Sequence, residues 1–473
     1  MSQPESQPVK RNIVLAVLLS GAFIIILNQT MLNTALPTFM EEFGITENAA
    51  QWVTTVFMLV NGVMIPVTAF LIEKFSTRKL FMAAMLIFSV GTAICAAAPS
   101  FGVLLLGRVV QAASGGMIMP LMQTIVFAMF SFHRRGSAMG TLGLVISFAP
   151  AIGPSLSGWI VDNMPWQTLF IMMLPIALID AVFAYFLLRN VTENTNPKLD
   201  FLSLTLSTIG FGGLLFGFST AGSAGWGSAN VIGPLVVGLL ALVWFTRRQL
   251  TLEKPMLDIR VLSNPMFTLG TLLGMTIFVV MVGGMLILPL YMQNMADFTA
   301  MESGIALLPG AVVMGVVSPI TGRVFDRFGG KWLSFFGFIL ATASTFMLAR
   351  LSLDTTLEYL AIVNAVRMLG VAMVIMPVTT AALNELPQRM IPHGTAVNNT
   401  LRQISSSIGA AVMVTIMTAT AKDPAVYGIE GVIHGANVAF IVSGSLGILG
   451  IIGSLFIRNR QSPAASEINE PQE

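Results

Sequence analysis

Three arginines, Arg108, Arg367 and Arg402, and one acid, Asp180, stand inside long apolar runs of this chain. A guanidinium in a bilayer costs at least about 2.5–3.5 kcal/mol on insertion scales unless it is paired or wet, so an ionisable group there is a functional candidate by default. Such groups can hold a proton, an ion or a charged ligand. The residue types needed for covalent chemistry are missing around them. The one cysteine, Cys95, lies in mid-run, and the histidines His133, His393 and His434 fall in predicted loops. Disulfides and Cys- or His-built metal or haem sites are thereby excluded. No HExxH, GxSxG or paired intramembrane acids occur, and no GxxxxGK[ST] phosphate loop. The expectation is a protein that is not an enzyme, holds no metal and draws no ATP through this chain.

The elements that carry these residues follow from composition. Of 473 residues 55% are hydrophobic and 10% charged, where soluble domains carry about a quarter charged residues. Crossing a bilayer takes about 20 apolar residues. Runs of that kind are predicted at 13–36, 51–72, 80–98, 102–130, 137–161, 167–188, 201–221, 230–248, 266–291, 302–322, 332–350, 357–383, 395–420 and 437–457. This is an all-α polytopic membrane protein with fourteen spans and the lipid bilayer as its surroundings. Nothing in the sequence points to nucleic acid as a partner.

With the N-terminus placed in the cytoplasm, nineteen Lys and Arg residues fall in inner loops and tails and two, Arg350 and Lys422, fall outside. The inner set includes Lys10, Lys198 and Arg460. That bias predicts both termini cytoplasmic. The polar start MSQPESQPVKRN leads into a run longer than a signal-peptide core, and is read as the lead of an uncleaved first helix.

An internal repeat is also visible. TALP at 34–37 is echoed by LILPL at 286–290, AFLIEKFSTRKLF by TGRVFDRFGGKWL, and Arg108 followed by IMP at 118–120 by Arg367 followed by IMP at 375–377. Spans 1–6 thus echo spans 9–14. The predicted organisation is a tail at 1–12, a six-helix bundle at 13–188, two inserted helices with linkers at 189–265, a second bundle at 266–457 and a disordered tail at 458–473. Like-oriented halves suggest alternating access around a central cavity.

The loop Gly322–Lys331, with Arg323, Asp326 and Arg327, resembles the signature loop of the major facilitator superfamily, and the first copy, with Glu73, Lys74, Arg78 and Lys79, resembles it more loosely. An acid at a helix end among basic residues can form a latch that breaks as the halves move. Arg108 with Gln111 and Gly115 resembles the family's R-x-x-Q-G-x-G-A motif. Gly140, Gly143, Ala149, Pro150, Gly153, Pro154 and Gly158 resemble the antiporter motif of its exporters, with Ser157 in place of one glycine. Small residues let helices approach closely, and the prolines remove backbone donors. The role expected for this stretch is a tightly packed seam. With fourteen spans in a 6+2+6 layout, the chain is similar to the drug:proton antiporters of the EmrB/QacA group and to lincomycin-resistance exporters within it. That resemblance extends to ILNQTMLNTALP, PMLDIRVLSNPMF and NNTLRQISSSIGAA.

The resemblance implies proton-driven efflux of amphipathic drugs or antibiotics, lincosamide-like or cationic compounds among them, by a monomer in a bacterial plasma membrane. The proton is the coupling ion and no other cofactor is implied. The group's first-span acid is Asn28 here, which does not titrate. The proton-coupling candidates are therefore Arg108, Asp180 and Glu302. Asp180 lies about 14 Å along a helix from Arg189 at ~1.5 Å rise per residue, near mid-membrane. A structural bond to a neighbouring helix is the other reading of it. Candidates for lining the cavity are Asn28, Gln29, Asn33, Trp52, Asn61, Gln123, Tyr291, Gln293 and Asn294. Export of an endogenous metabolite, lipid or peptide, or a non-transporting receptor on the same fold, are the alternatives.

Overall fold

The computed structural model describes residues 11–191, 195, 197 and 199–458. The expected tails lie almost wholly outside the described residues, as do Lys10, Lys198 and Arg460. Fourteen helices among the described residues are long and apolar enough to cross a membrane. Their main α-helices are α1 (Arg11–Thr34), α2 (Trp52–Lys74), α3 (Thr77–Ala96), α4 (Phe101–Met129), α5 (Arg135–Asn163), α6 (Met173–Leu187, which the short helix Thr168–Ile171 extends to a span) and α7 (Phe201–Ala224). The rest are α8 (Ala229–Thr251), α9 (Pro265–Asn294), α10 (Ala300–Phe328), α11 (Lys331–Met347), α12 (Leu357–Asn384), α13 (Ile391–Thr420) and α14 (Pro424–Ser454). The spans expected from hydropathy are all present, including the Gly-rich seventh and the thirteenth that carries Arg402. A short helix absent from that reading, Leu36–Phe43, follows α1 and ends at Gly44 with φ 61°, a left-handed turn that suits glycine.

Local chemistry sets the helix ends. Asn264 Oδ1 accepts from the backbone N–H groups of Met266 and Phe267 (both 3.0 Å), and Pro265 occupies the first turn of α9, where its missing donor is harmless. At the start of α10, Thr299 and Glu302 form a reciprocal capping box.

The chain divides into two compact units: Met1–Phe130 with Ile152–Asp200, and Ser131–Ala151 with Phe201–Glu473. The division falls inside α5, so its first half groups with the second unit. The inserted pair α7 and α8 also belongs to the second unit. Trp226 Nε1, in the turn between them, donates to Thr415 Oγ1 of α13 (2.7 Å), and Ala221, Val231 and Ala411 pack together. In the first unit α3 and α4 cross on small residues. A methyl on Gly91 would lie 2.6 Å from the Gln111 backbone nitrogen, and one on Gly107 would lie 2.9 Å from that of Cys95. In the second unit α11 and α12 cross the same way at Gly337 and Gly370, as expected of a repeat.

Large apolar side chains remain exposed, among them Phe186 (73%) on α6 and Leu240 (65%) on α8, the surface expected of helices solvated by lipid.

Candidate functional site

Among the described residues four charged side chains of Asp, Glu, Lys or Arg are buried: Arg108, Asp180, Arg367 and Arg402. They are the four singled out by their place in apolar runs. Arg108, on α4, is wholly buried. Its Nε donates to the Val53 carbonyl (3.1 Å), and one terminal nitrogen donates to Asn28 Oδ1 (3.0 Å) and Gln111 Oε1 (2.8 Å). Its guanidinium stacks on the Phe57 ring at 4.2 Å. Gln111 in turn donates to Thr92 Oγ1 (2.8 Å), whose own hydroxyl donates to the Phe88 carbonyl (2.7 Å). The network thus joins α1, α2, α3 and α4. No carboxylate among the described residues pairs with Arg108; the oxygen that would be an acid's in the EmrB/QacA group is an amide oxygen. Two donors are left buried and unused, the other terminal nitrogen of Arg108 and Asn28 Nδ2.

Gly115, one turn beyond Gln111, leaves room for Asn61 of α2. A methyl there would lie 2.9 Å from Asn61 Nδ2. The three positions of the motif therefore have separate tasks: a charge, its acceptor and a gap for the neighbouring helix.

Asp180 is held elsewhere in the first unit. Its Oδ1 accepts from the Ser20 hydroxyl on α1, and its Oδ2 is buried without a partner. Ser20 Oγ also lies 2.9 Å from the Val17 carbonyl. A hydroxyl has one proton to give. It can serve a charged Asp180, or, when Asp180 carries a proton and donates to Ser20 Oγ, it can serve Val17. The geometry accommodates both protonation states without moving a backbone. Arg108 and Asp180 are bonded by different groups, so Arg108 does not act as the acid's ion-pair partner. Ser20 was missed from sequence because a serine in mid-span carries no signal until its partner is known.

In the second unit Arg367, on α12, repeats part of the Arg108 arrangement. It donates to Asn364 Oδ1 (2.9 Å) and to the Val280 carbonyl (3.3 Å), with its Nε unpaired. Val280 precedes Pro289 by nine residues, as Asn28 precedes Pro37. Where the first repeat offers a side-chain oxygen, the second offers a backbone one. Gly284 makes this possible, because a methyl there would overlap the guanidinium. Arg402, on α13, lies over the Phe278 ring of α9 at 4.0 Å.

The third candidate for the coupling proton, Glu302, is the capping residue at the start of α10. Its carboxylate accepts from the Thr299 backbone N–H and hydroxyl (both 2.8 Å), which accounts for an acid at that position. The cavity candidates scatter. Asn28 and Gln123 are buried, Gln29 and Asn61 half-buried, and Asn33, Trp52, Gln293 and Asn294 exposed. Tyr291 sits in the apolar core of the second unit, with its hydroxyl donated to the Ser352 carbonyl (2.6 Å).

The Gly/Pro stretch of α5 is close-packed in two places. In the second unit a methyl on Gly140 would meet the Ser318 carbonyl of α10 at 2.5 Å, and Gly143 presses on the Ser318 side chain. In the first unit Gly153 lies against Thr30 of α1. Gly158 faces open space, Pro150 is half-buried and Pro154 exposed. Gly140→Ala should therefore force α5 and α10 apart at a backbone contact, costing about 1–3 kcal/mol, while Gly158→Ala should change little. Thermal unfolding of the two purified variants in detergent compares them directly, and equal midpoints would refute the assignment.

Asp326 holds the N-terminus of α5. Its carboxylate accepts from the backbone N–H groups of Gly136 and Ser137 (both 2.8 Å) and from the Ser137 hydroxyl. These are orphan donors of a helix start, where a negative charge is favoured. Arg135 adds bonds to Asn384 Oδ1 (2.9 Å) and Gln388 Oε1 (3.4 Å). The expected acid–base loop is thus an acid-to-backbone clasp, with Arg323 and Arg327 exposed. The repeat had a signal for it: Gly136–Ser137–Ala138 is echoed by Gly394–Thr395–Ala396. In the first copy, Lys74 lies 5.3 Å from the Phe70 ring centre, Arg78 stacks on Tyr185 and donates to its carbonyl (3.3 Å), and Lys79 is exposed. Lys331 lies near the Trp332 ring (5.8 Å). Asp326→Ala removes every acceptor of the clasp and should lower stability by about 1–3 kcal/mol. Hydrogen exchange at the 136–137 amides reads the loss locally, and unchanged protection would contradict it.

The family model for the Major Facilitator Superfamily matches residues 18–410. The chain is 49% identical over 464 residues, 98% of each protein, to the Bacillus subtilis protein YcnB, described as an uncharacterized MFS-type transporter. It is 41% identical over 453 residues to the lincomycin resistance protein LmrB of Listeria monocytogenes, covering 94% of this chain and 96% of that one. The crystal structure of the human organic anion transporter MFSD10 (TETRAN) has the same fold, with a TM-score of 0.68 over 93% of this chain and 100% of that one at 14% identity. These likenesses bear out the resemblance drawn from the motifs. The protein is a multi-pass transporter of the bacterial plasma membrane and not an enzyme. A match that runs from the first span into the thirteenth leaves one conclusion: this chain belongs to the Major Facilitator Superfamily.

Proposed function

We propose that the protein is a proton-coupled exporter of amphipathic, drug-like compounds, working as a monomer by alternating access, with both termini in the cytoplasm. Its likeness to a lincomycin resistance protein supports the export of drugs. One observation carries the coupling: Asp180 is the one buried carboxylate among the described residues. An ionisable side chain that carries a proton through the cycle must be shielded from bulk water and able to exist in two states. Asp180, bonded to a hydroxyl that can either donate or accept, meets both conditions. Arg108, bonded to neutral acceptors, then serves as a fixed positive charge in the first unit. Inward proton flow would drive the substrate outward.

Proteoliposomes with an acid interior should accumulate such compounds through inside-out transporters and lose the accumulation when a protonophore is added. Accumulation that survives the protonophore would sink proton coupling. No accumulation of any compound, across a panel of antibiotics and dyes, would sink the exporter reading.

A further inference from the structure

The second unit buries two guanidinium groups, Arg367 and Arg402, and no carboxylate among its described residues. Their situations differ. Arg367 has two acceptors and is wholly buried. Arg402 retains 6% exposure and has the Phe278 ring as its partner, with no hydrogen-bond acceptor and no acid among the described residues. An aromatic face contributes about 2 kcal/mol to a desolvated cation, far less than the several kcal/mol that burying the charge costs. None of the five N–H donors of Arg402 has an acceptor among the described residues. One turn earlier on the same helix, Asn398 donates to Thr271 Oγ1 of α9 (3.3 Å) and keeps its Oδ1 buried without a donor.

A buried cation and a buried neutral acceptor, both unserved and one turn apart, describe the missing partner. It brings an anionic group for the guanidinium and an O–H or N–H beside it for the amide oxygen. A cationic ligand finds no counter-charge here and is repelled. We propose that Arg402 and Asn398 bind the anionic head of the transported compound, a carboxylate, sulfonate or phosphate carrying an adjacent donor. Phe278, stacked on the guanidinium, holds the planar group in place and offers an apolar face to the rest of the ligand. This rests on the exporter reading above and narrows it from amphipathic compounds in general to amphipathic anions.

The test uses two fluorescent probes, carboxyfluorescein as the anion and ethidium as the cation, in phosphatidylcholine proteoliposomes with an imposed pH gradient. The wild type should carry carboxyfluorescein in preference to ethidium. Removing one partner of a charge pair should raise KM for carboxyfluorescein in Arg402→Gln by at least about 30-fold, with Arg402→Lys recovering part of it. Asn398→Asp, which places a carboxylate within reach of Arg402, should abolish carboxyfluorescein transport and admit ethidium. This second variant decides the matter should Arg402→Gln fail to fold. Ethidium carried in preference by the wild type, or an unchanged KM in Arg402→Gln, would overturn the anion site and leave the exporter reading standing. Transport of neither probe, nor of any other compound, would overturn both. A KM for carboxyfluorescein that rises when phosphatidylglycerol is added makes a lipid headgroup the occupant and overturns the substrate assignment.

Discussion

Asp180→Asn should abolish uphill transport while leaving exchange of substrate across the membrane intact. The amide cannot release a proton, so a cycle that depends on loading and unloading Asp180 loses its link to the pH gradient. Counterflow, in which labelled substrate enters against unlabelled, needs no net proton movement and should persist. The variant should also fold. The Ser20 hydroxyl can donate to an amide oxygen as it does to the carboxylate, and the change in stability should stay within about 1 kcal/mol. A variant that still concentrates substrate against its gradient, measured in the same proteoliposomes, removes Asp180 from the mechanism. One that loses counterflow as well shows that the residue serves the fold or the substrate instead.

The second prediction concerns the residue in which this chain departs from the EmrB/QacA group. Asn28→Asp should stabilise the protein. Arg108 is already buried, its charge is uncompensated, and one terminal nitrogen has no acceptor. The Asn28 amide that accepts from its other terminal nitrogen carries Nδ2, a second buried donor with no acceptor. Exchanging that amide nitrogen for oxygen turns two unserved donors into a bond and gives the guanidinium a carboxylate. Charge-assisted bonds of this kind contribute about 1–3 kcal/mol, against which stands the cost of burying a new charge. The guanidinium's own burial is already part of the native fold, so the balance favours the pair. Asn28→Leu should move the midpoint the other way, because it strips Arg108 of one of its three acceptors. Thermal unfolding in detergent of both variants measures the difference, and a fall in midpoint for Asn28→Asp would mean that the two donors already have partners.

The sequence made the spans and their number plain because a twenty-residue apolar run leaves few alternatives. It also showed which charges are buried, since Arg108, Asp180, Arg367 and Arg402 all stand inside apolar runs. Their partners were not legible. Hydrogen-bond partners come from other helices, and periodicity within one span says nothing about its neighbours. Asn28 was visible as a departure from a motif, yet that its amide oxygen accepts from Arg108 required the fold. Glu302 illustrates the converse. The spacing of Thr299 and Glu302 before an apolar run is a capping signature, and it explains that acid more simply than a role in coupling. Asp326 looked like part of a charge cluster, whereas its bonds go to the Gly136 and Ser137 amides and the Ser137 hydroxyl, a small-residue helix start marked in the sequence only by its echo in the second repeat.

The Ser20 hydroxyl lends the first helix a sensitivity that reaches beyond the side chain of Asp180. When it turns toward Asp180, the Val17 carbonyl keeps its helical bond alone; when it turns back, that carbonyl gains a second donor. Protonation of an acid on one helix is thereby written into the main chain of another. An isotope-edited carbonyl at Val17 should absorb at lower frequency in the protonated state, so protonation of Asp180 would be visible by infrared spectroscopy in the resting protein, before any substrate has moved.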